Sequence, residues 1–176
     1  MTSALGWTRR RPAGSVLAAA TAAVMLARYG LDAAGLIAAF ASAVLVVVSV
    51  IDIESRRLPN RIVLPTAGLV LVARLLTAPA HWGAWLGGAV GATAFLLVFA
   101  LAFPAGLGLG DVKLTLLLGA MLGGAVPVAL LLGTLAGAAA AVALLVRDGR
   151  RALGRTMAFG PFLAFGAIAT ALLLAP

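Results

Sequence analysis

The chain has 176 residues, of which 10% are charged and 64% are hydrophobic, and its formal net charge is +8. An ordinary soluble domain has about 25% charged residues, so this chain has too few polar groups to cover the surface of a water-soluble fold. The same figures exclude intrinsic disorder, which requires low hydrophobicity. The composition therefore predicts a polytopic membrane protein.

The residue types that are rare in the chain exclude several kinds of site. There is no Cys and there is one His, which excludes a disulfide framework, a thiolate zinc site, a Cys nucleophile and a multi-His metal site. We therefore predict no metal and no cofactor. In a membrane protein an excess of positive charge is explained first by the retention of cations on the cytoplasmic side. The charge therefore does not require a nucleic-acid partner, and we predict none.

Seven apolar segments follow one another along the chain. A helix needs about 20 apolar residues to cross the bilayer, with a range of roughly 17–25, and the segments are continuous rather than alternating, which favours helices over a barrel. The sequence thus predicts an all-α fold of about seven transmembrane helices, approximately at Ser15–Leu31, Ala33–Ile51, Ile62–Ala78, Ala84–Phe103, Val112–Gly123, Ala125–Val146 and Phe159–Ala175.

The division of the chain follows from these segments. Gly123, Gly124 and Pro127 favour a tight turn between the short fifth segment and the sixth. Arginines precede the first segment as in a signal peptide, but no convincing cleavage site precedes a soluble domain, so we interpret it as a retained helix. We predict a cytoplasmic tail over residues 1–14 and a single membrane domain over residues 15–176.

The distribution of the cations predicts the topology. With the N-terminus inside, two cations, Arg28 and Arg74, lie at the outer ends, and the C-terminus lies outside. The other eleven lie on the inner side, as the positive-inside rule requires: Arg9, Arg10, Arg11, Arg56, Arg57, Arg61, Lys113, Arg147, Arg150, Arg151 and Arg155.

Two of the five acidic residues stand at helix ends on the same side of the membrane. Asp52 follows the apolar run Val44–Ile51 and Asp111 precedes the fifth helix, with two predicted spans between them. An even number of crossings returns the chain to one side, and acids at the membrane edge tend to be functional. Structural roles remain open at this point, because Asp111 is also a favoured helix N-cap and Asp52 has arginine neighbours. Asp32 and Asp148 are interpreted as solvated loop charges, and Glu54 as pointing away from Asp52 on a helix.

A pair of neighbouring carboxyl groups has a defined chemistry. Two carboxylates a few ångströms apart cannot easily both ionise, so one keeps a proton. The ionised group then acts as a base on a water molecule, while the protonated group polarises a scissile carbonyl. Such a pair titrates as a unit, so neither residue is assigned permanently to one role.

Glycines at alternate positions lead up to the second acid, in the segment Gly106-Leu107-Gly108-Leu109-Gly110-Asp111. Their freedom of backbone conformation permits a close approach by another chain, such as an extended peptide beside Asp111. A phosphate-binding loop is a poor alternative, because the Gly-Lys-Ser/Thr ending is absent.

These motifs together resemble the bacterial prepilin peptidases, a family of membrane aspartic proteases. Gly108–Leu114, with the sequence Gly-Leu-Gly-Asp-Val-Lys-Leu, is similar to the family's GxGD-x-K segment. Asp52–Asn60 is similar to its other motif, an Asp followed seven positions later by Pro and then by Asn or Asp. Phe159-Gly160-Pro161-Phe162 resembles an element before the family's last helix. The order of the three motifs on a seven-helix frame makes the resemblance specific.

The resemblance implies roles for individual residues. Asp52 and Asp111 match the two catalytic aspartates, Gly108 and Gly110 match the glycines of GxGD, and Lys113 matches the following lysine. Lys113 either takes part in the site or anchors the helix at the interface. Pro59 and Asn60 are expected to shape the entry to the third helix.

The resemblance also implies a location and a substrate. The enzyme would be a multi-pass protein of the bacterial inner membrane, with its active site facing the cytoplasm. Its partners would be the lipid bilayer and prepilin or pseudopilin precursors, whose short basic leader is removed just before an apolar helix. Members that methylate the new N-terminus carry a Cys-rich insertion after the first helix, whereas this chain has no Cys and no insertion between Leu31 and Ala33. It resembles the short form, which puts N-methylation in doubt.

Two alternatives from other classes remain open on the sequence. A non-enzymatic transporter or secretion-scaffold subunit would use its acids for ion pairing or proton relay, although a relay would place acids in mid-helix. A presenilin-like intramembrane protease would share GxGD, but the Asp52–Asn60 motif and Lys113 favour the prepilin branch.

Overall fold

The computed structural model describes residues 12–103, 108–149 and 157–174, and these residues form helices and no strand. The predicted all-α class is therefore confirmed for this part of the chain. Its seven helices are α1 (Pro12–Tyr29), α2 (Ala33–Ser55), α3 (Asn60–Thr77), α4 (Pro79–Ala102), α5 (Leu109–Leu122), α6 (Val126–Asp148) and α7 (Gly160–Leu173).

Four stretches of the described chain are long and apolar enough to cross a membrane. They are Ala33–Ser55, Asn60–Thr77, Pro79–Ala102 and the 40-residue stretch Leu109–Asp148, which contains both α5 and α6. The helices at the two ends, Ala13–Tyr29 and Gly160–Leu173, are apolar but shorter. Several apolar helices of this kind make the chain a multi-pass membrane protein.

Several helix ends differ from those expected. Helix α1 begins at Pro12, inside the expected tail, and ends at Tyr29 rather than Leu31. Proline is well suited to this position, because its missing N–H would have no partner in the first turn. Helix α4 begins with a 3₁₀ turn at Pro79–His81 instead of at Ala84 and contains a π-helical turn at Gly87–Gly91. The rest of the expected tail, residues 1–11, lies outside the described residues.

The connections on either side of α2 are short and well defined. Asp32 caps the helix, because its carboxylate accepts a hydrogen bond of 2.8 Å from the Gly35 N–H. Asp32 is exposed in the turn before α2, as expected of a loop charge, and it also caps this helix. At the other end Arg56 adopts a left-handed conformation (φ 50°, ψ 34°) and its N–H bonds the Asp52 carbonyl at 2.8 Å. The chain then enters α3 after Pro59.

Helix α5 forms the centre of the molecule. It packs against α3, α4 and α7, and its side chains are among the most completely buried, with Leu117, Leu118 and Ala120 fully inaccessible. A helix buried on all sides has an apolar sequence without an amphipathic pattern, as is seen between Leu114 and Leu122. The acidic start of α5 is therefore held rigidly by the core.

The expected turn between the fifth and sixth helices is present at Gly123. This residue has φ 56° and ψ −128°, a conformation that a β-carbon would strain, and it ends α5 before one 3₁₀ turn, Gly123–Ala125. Helix α6 then runs back along α7, since Gly137 faces the ring of Phe159 close to the start of α7. The two helices therefore run in opposite directions.

Candidate active site

Asp52 lies in the last turn of α2, which extends beyond the predicted end at Ile51 to Ser55. The residue is only 6% exposed. Its Oδ2 atom accepts a hydrogen bond of 3.0 Å from the backbone N–H of Gly160, the first residue of α7. The carboxyl group is thus oriented by a helix N-terminus from a distant part of the chain.

Asp111 lies inside the first turn of α5, not before it. The helix starts at Leu109 and its N-cap is Gly108, so the interpretation of Asp111 as an N-cap is wrong. The carboxyl group instead reaches back to the backbone N–H of Gly108, while its own N–H donates to the Gly108 carbonyl at 3.0 Å. This is the position from which a side chain closes a capping box.

The two aspartates share one cavity of about 630 Å³. The lining comes from the ends of α2, α3, α5 and the approach to α7: Asp52, Arg56, Arg57, Leu58, Asn60, Gly108, Gly110, Asp111, Lys113, Met157, Ala158 and Phe159. All five residues expected in the site on sequence grounds lie in this set.

Comparison with known proteins agrees with this geometry. The model of the Type IV leader peptidase family matches residues 39–142, a segment that contains both aspartates. The chain belongs to this family.

Curated members of the family extend the likeness over most of the chain. The prepilin leader peptidase/N-methyltransferase of Bacillus subtilis is 32% identical over 157 residues, which cover 89% of this chain and 63% of that protein. The protein of the same name from Burkholderia pseudomallei is 35% identical over 166 residues, covering 92% of this chain and 54% of the relative. The chain thus spans between half and two thirds of the relatives' lengths. No solved structure matches it significantly.

The glycines of the family motif differ in what surrounds them. A β-carbon on Gly110 would lie 3.1 Å from Cδ1 of Leu58, so a side chain there would press on the α2–α3 connection. A β-carbon on Gly108 would lie 3.4 Å from Oδ2 of Asp111, which is an ordinary contact. Gly110 therefore allows the close approach of Leu58, and Gly108 supplies the N–H that meets Asp111.

Lys113 lines the same cavity as the two aspartates. Its Nζ donates a hydrogen bond of 3.1 Å to Oδ1 of Asn60, the first residue of α3. Both residues line the cavity. Asn60 thus has a contact within the site in addition to its expected place at the entry to α3.

Gly160 is the main site residue that the sequence did not single out. Its N–H bonds Asp52, and a β-carbon at this position would lie 2.8 Å from Oδ2 of the same carboxyl group. The signal was the Phe159-Gly160-Pro161 element, which carried the family resemblance without a role for its glycine.

The remaining acids lie elsewhere. Glu54 is exposed and does not line the cavity, and Asp148 forms an ion pair with Arg147 at 3.4 Å. Within the described ranges, no three His, Cys, Asp or Glu side chains are grouped so that they could hold a metal ion.

Proposed function

We propose that this protein is a membrane aspartic endopeptidase that cleaves the short basic leader from prepilin-like precursors, with Asp52 and Asp111 as its catalytic pair. The observation that supports this best is that Asp52 and Asp111 line one cavity. They come from helices separated by two others, and each is met by a backbone N–H, from Gly160 and Gly108 respectively. An ion pair of purely structural use would join each acid to a cation instead.

The chemistry requires two carboxyl groups and a water molecule. The carboxylate of the pair takes a proton from water, and the resulting nucleophile attacks the scissile carbonyl carbon. The protonated carboxyl donates to the carbonyl oxygen and stabilises the negative charge that develops there. Proton transfer to the leaving nitrogen then completes hydrolysis. Because the pair shares its protons, either member can serve in either role.

The cavity suits a substrate that arrives from the membrane edge. Arg56 and Arg57 line it and are exposed, which supports an opening at the level of the lipid head groups, because cations favour the membrane edge over its apolar core. We propose that the opening faces the cytoplasm and that the membrane is the bacterial inner membrane. The seven helices would span it with the N-terminus inside and the C-terminus outside, as one peptidase domain preceded by a short tail.

The first experiment replaces each aspartate by asparagine, which keeps the shape of the side chain and removes its acid–base function. Asp52→Asn and Asp111→Asn should each lower the processing rate of a co-expressed prepilin by about 100-fold or more, since general acid–base catalysis contributes 10²–10⁴-fold. Processing is followed by mass spectrometry, which also gives the cleavage site and any N-methylation.

Glu54→Gln is the matched control, because Glu54 lies two residues from Asp52 on the same helix turn and outside the cavity. It should process at the rate of the unsubstituted protein. Rapid processing by either Asn variant would remove that residue from the mechanism. Cleavage within the apolar helix, rather than at the leader junction, would favour a presenilin-like activity.

A further inference from the structure

A second cavity, of about 640 Å³, forms an apolar groove between α4 and α6. Among the described residues that line it, Thr134 has the sole polar side chain, and its hydroxyl is occupied by the Leu130 carbonyl at 2.7 Å. The described lining of the groove is therefore mainly apolar and fits an apolar occupant.

The walls of the groove are exposed to lipid. Helix α6 packs along α7, and α4 packs on α5, so the outer faces of α4 and α6 lie apart. Phe95 on α4 is 65% exposed and Leu131 on α6 is 58% exposed, and both line the groove. Large side chains such as these make the most van der Waals contacts when another helix packs between them. Such packing is the main attraction between helices in lipid.

The floor of the groove leads toward the catalytic cavity. Leu130 lines the groove and also packs against the cluster of Leu96, Ala100 and Val112. Val112 follows Asp111 directly in α5. The contact of Leu130 with Val112 therefore joins the groove to the first turn of α5, which carries Asp111 and lines the catalytic cavity.

The length of α5 would allow one substrate helix to extend from the catalytic cavity along the whole groove. Gly123, at the outer end of the groove, lies twelve residues after Asp111, a rise of about 18 Å along a helix. A membrane-spanning helix of about 20 residues is about 30 Å long. A helix that begins at the aspartates therefore passes the whole groove before it leaves the bilayer.

We propose that the α4–α6 groove binds the apolar helix of the precursor while its leader junction lies at Asp52 and Asp111. This inference rests on the proposed peptidase function and assigns the surface that selects precursors by their membrane helix. A precursor would be recognised by apolar packing over the groove and by its backbone at the dyad.

Photo-cross-linking tests where the substrate helix lies. A benzophenone side chain replaces Phe95 or Leu131 in the Asp111→Asn protein, and a full-length prepilin is added in proteoliposomes. The control position is Leu69 on α3, which is 58% exposed, as is Leu131, and does not line the groove. We expect prepilin adducts from the groove positions and not from Leu69. No adduct, equal adducts from Leu69, or adducts to a second copy of the enzyme would overturn the proposal.

A filled groove tests the consequence for activity. A β-carbon on Gly91 of the groove, or on Gly68 of α3, would meet nothing within 4 Å, and both residues are exposed, so a leucine side chain at either position starts in open space. Each variant is assayed with the full precursor and with a soluble peptide that ends shortly after the leader junction. Gly91→Leu should lower the ratio of kcat/KM for precursor to that for peptide by about tenfold, as for one lost packing contact in binding. Gly68→Leu should leave this ratio unchanged.

The outcomes separate the two proposals. If the unsubstituted protein cleaves neither substrate in an Asp52-dependent manner, the peptidase function fails. If it cleaves both and Gly91→Leu gives the same ratio as Gly68→Leu, the peptidase function stands and the groove is not the docking site.

Discussion

Asp52 is positioned by a backbone group 108 residues further along the chain, the N–H of Gly160. The contact brings the first turn of α7 against the last turn of α2. A side chain at this point would push the carboxyl group aside, since the closest atom to a β-carbon on residue 160 would be the carboxyl oxygen itself, at 2.8 Å. The geometry of the dyad thus depends on the absence of a side chain at Gly160.

Gly160→Ala should therefore displace the Asp52 carboxyl group without removing it. A misplacement of about 1 Å can cost about 100-fold in rate, so we expect a loss of that order in prepilin processing. The matched control is Gly68→Ala, where the new methyl group meets open space. Activity is measured on equal amounts of membrane-inserted protein.

A fold defect would give a different pattern from a displaced carboxyl group. Gly160→Ala should keep its thermal midpoint in detergent within a few degrees of the unsubstituted protein while losing activity. If Gly160→Ala instead processes prepilin as fast as Gly68→Ala does, the Gly160 contact does not position the dyad.

Arg74 illustrates what composition and charge cannot predict for a single residue. The distribution of cations predicts Arg74 at an outer helix end, where a charged side chain would be exposed to water. In the structure its side chain is only 6% exposed. Its Nη2 donates to the Met121 carbonyl at 3.3 Å, near the end of α5, and its guanidinium lies 4.8 Å from the centre of the Trp85 ring. A cation at a helix C-terminus and over an aromatic face is favourable on both counts. The sequence placed Arg74 at the correct helix end but gave no sign of these partners, which come from α4 and α5.

At the scale of helices, glycine determines how closely α4 and α5 approach. A β-carbon on Gly119 of α5 would collide with the Gly88 carbonyl and the backbone of Ala89. Small residues four positions apart let helices approach closely, and Gly119 and Gly123 are such a pair, both packed against α4. Gly87 and Gly91 have the same spacing but do not pack in this way, because both face open space in the groove.

Gly119→Ala should separate α4 from α5 and destabilise the protein. Overpacking of a close contact costs about 1–3 kcal/mol. Gly68→Ala should instead raise the free energy of unfolding. Alanine is favoured over glycine within a helix by about 0.5–1 kcal/mol, and nothing obstructs the new methyl group there. The free energies of unfolding are compared by titration with denaturing detergent in mixed micelles. Equal stability of the two variants would mean that this backbone contact does not hold the helices together.

The sequence predicted the helices better than it predicted their ends. Apolar runs mark which segments are helical, and all seven expected segments overlap α1–α7. The ends depend on local backbone groups instead. Asp111 was considered as an N-cap because acids favour that place, whereas Gly108 takes it and Asp111 becomes the third residue of α5. This difference determines where the carboxyl group lies. In the first turn of α5, rather than before the helix, Asp111 lines the cavity.

At the scale of the whole molecule, the parity of the spans brings Asp52 and Asp111 to one end. The sequence could predict this because two segments separate the two residues. It could not predict that the cavity would also need Leu58 and the start of α7, because these contacts join parts of the chain that are distant in sequence. The family motifs predict Asp52 and Asp111 as the reacting groups, and packing around α5 brings both residues to the same cavity.

Sidedness is the property of the whole molecule that the positive-inside rule predicts. The chain has no Cys, so one introduced thiol reports on one place. Ser55 ends α2 beside Arg56 and Arg57, three residues after Asp52, and Ala80 lies in the exposed 3₁₀ turn that begins α4. Because cations are retained in the cytoplasm, Ser55→Cys should face inward and Ala80→Cys outward.

Labelling of spheroplasts with a membrane-impermeant maleimide distinguishes the two faces. Ala80→Cys should react in intact spheroplasts, and Ser55→Cys only after lysis. The two positions lie at opposite ends of α3, so each is the control for the accessibility of the other. Since Ser55 lies in the helix turn that carries Asp52, labelling of Ser55→Cys from outside would place the catalytic cavity on the wrong side for a leader that stays in the cytoplasm. The reverse pattern would therefore contradict both the topology and the proposed site of cleavage.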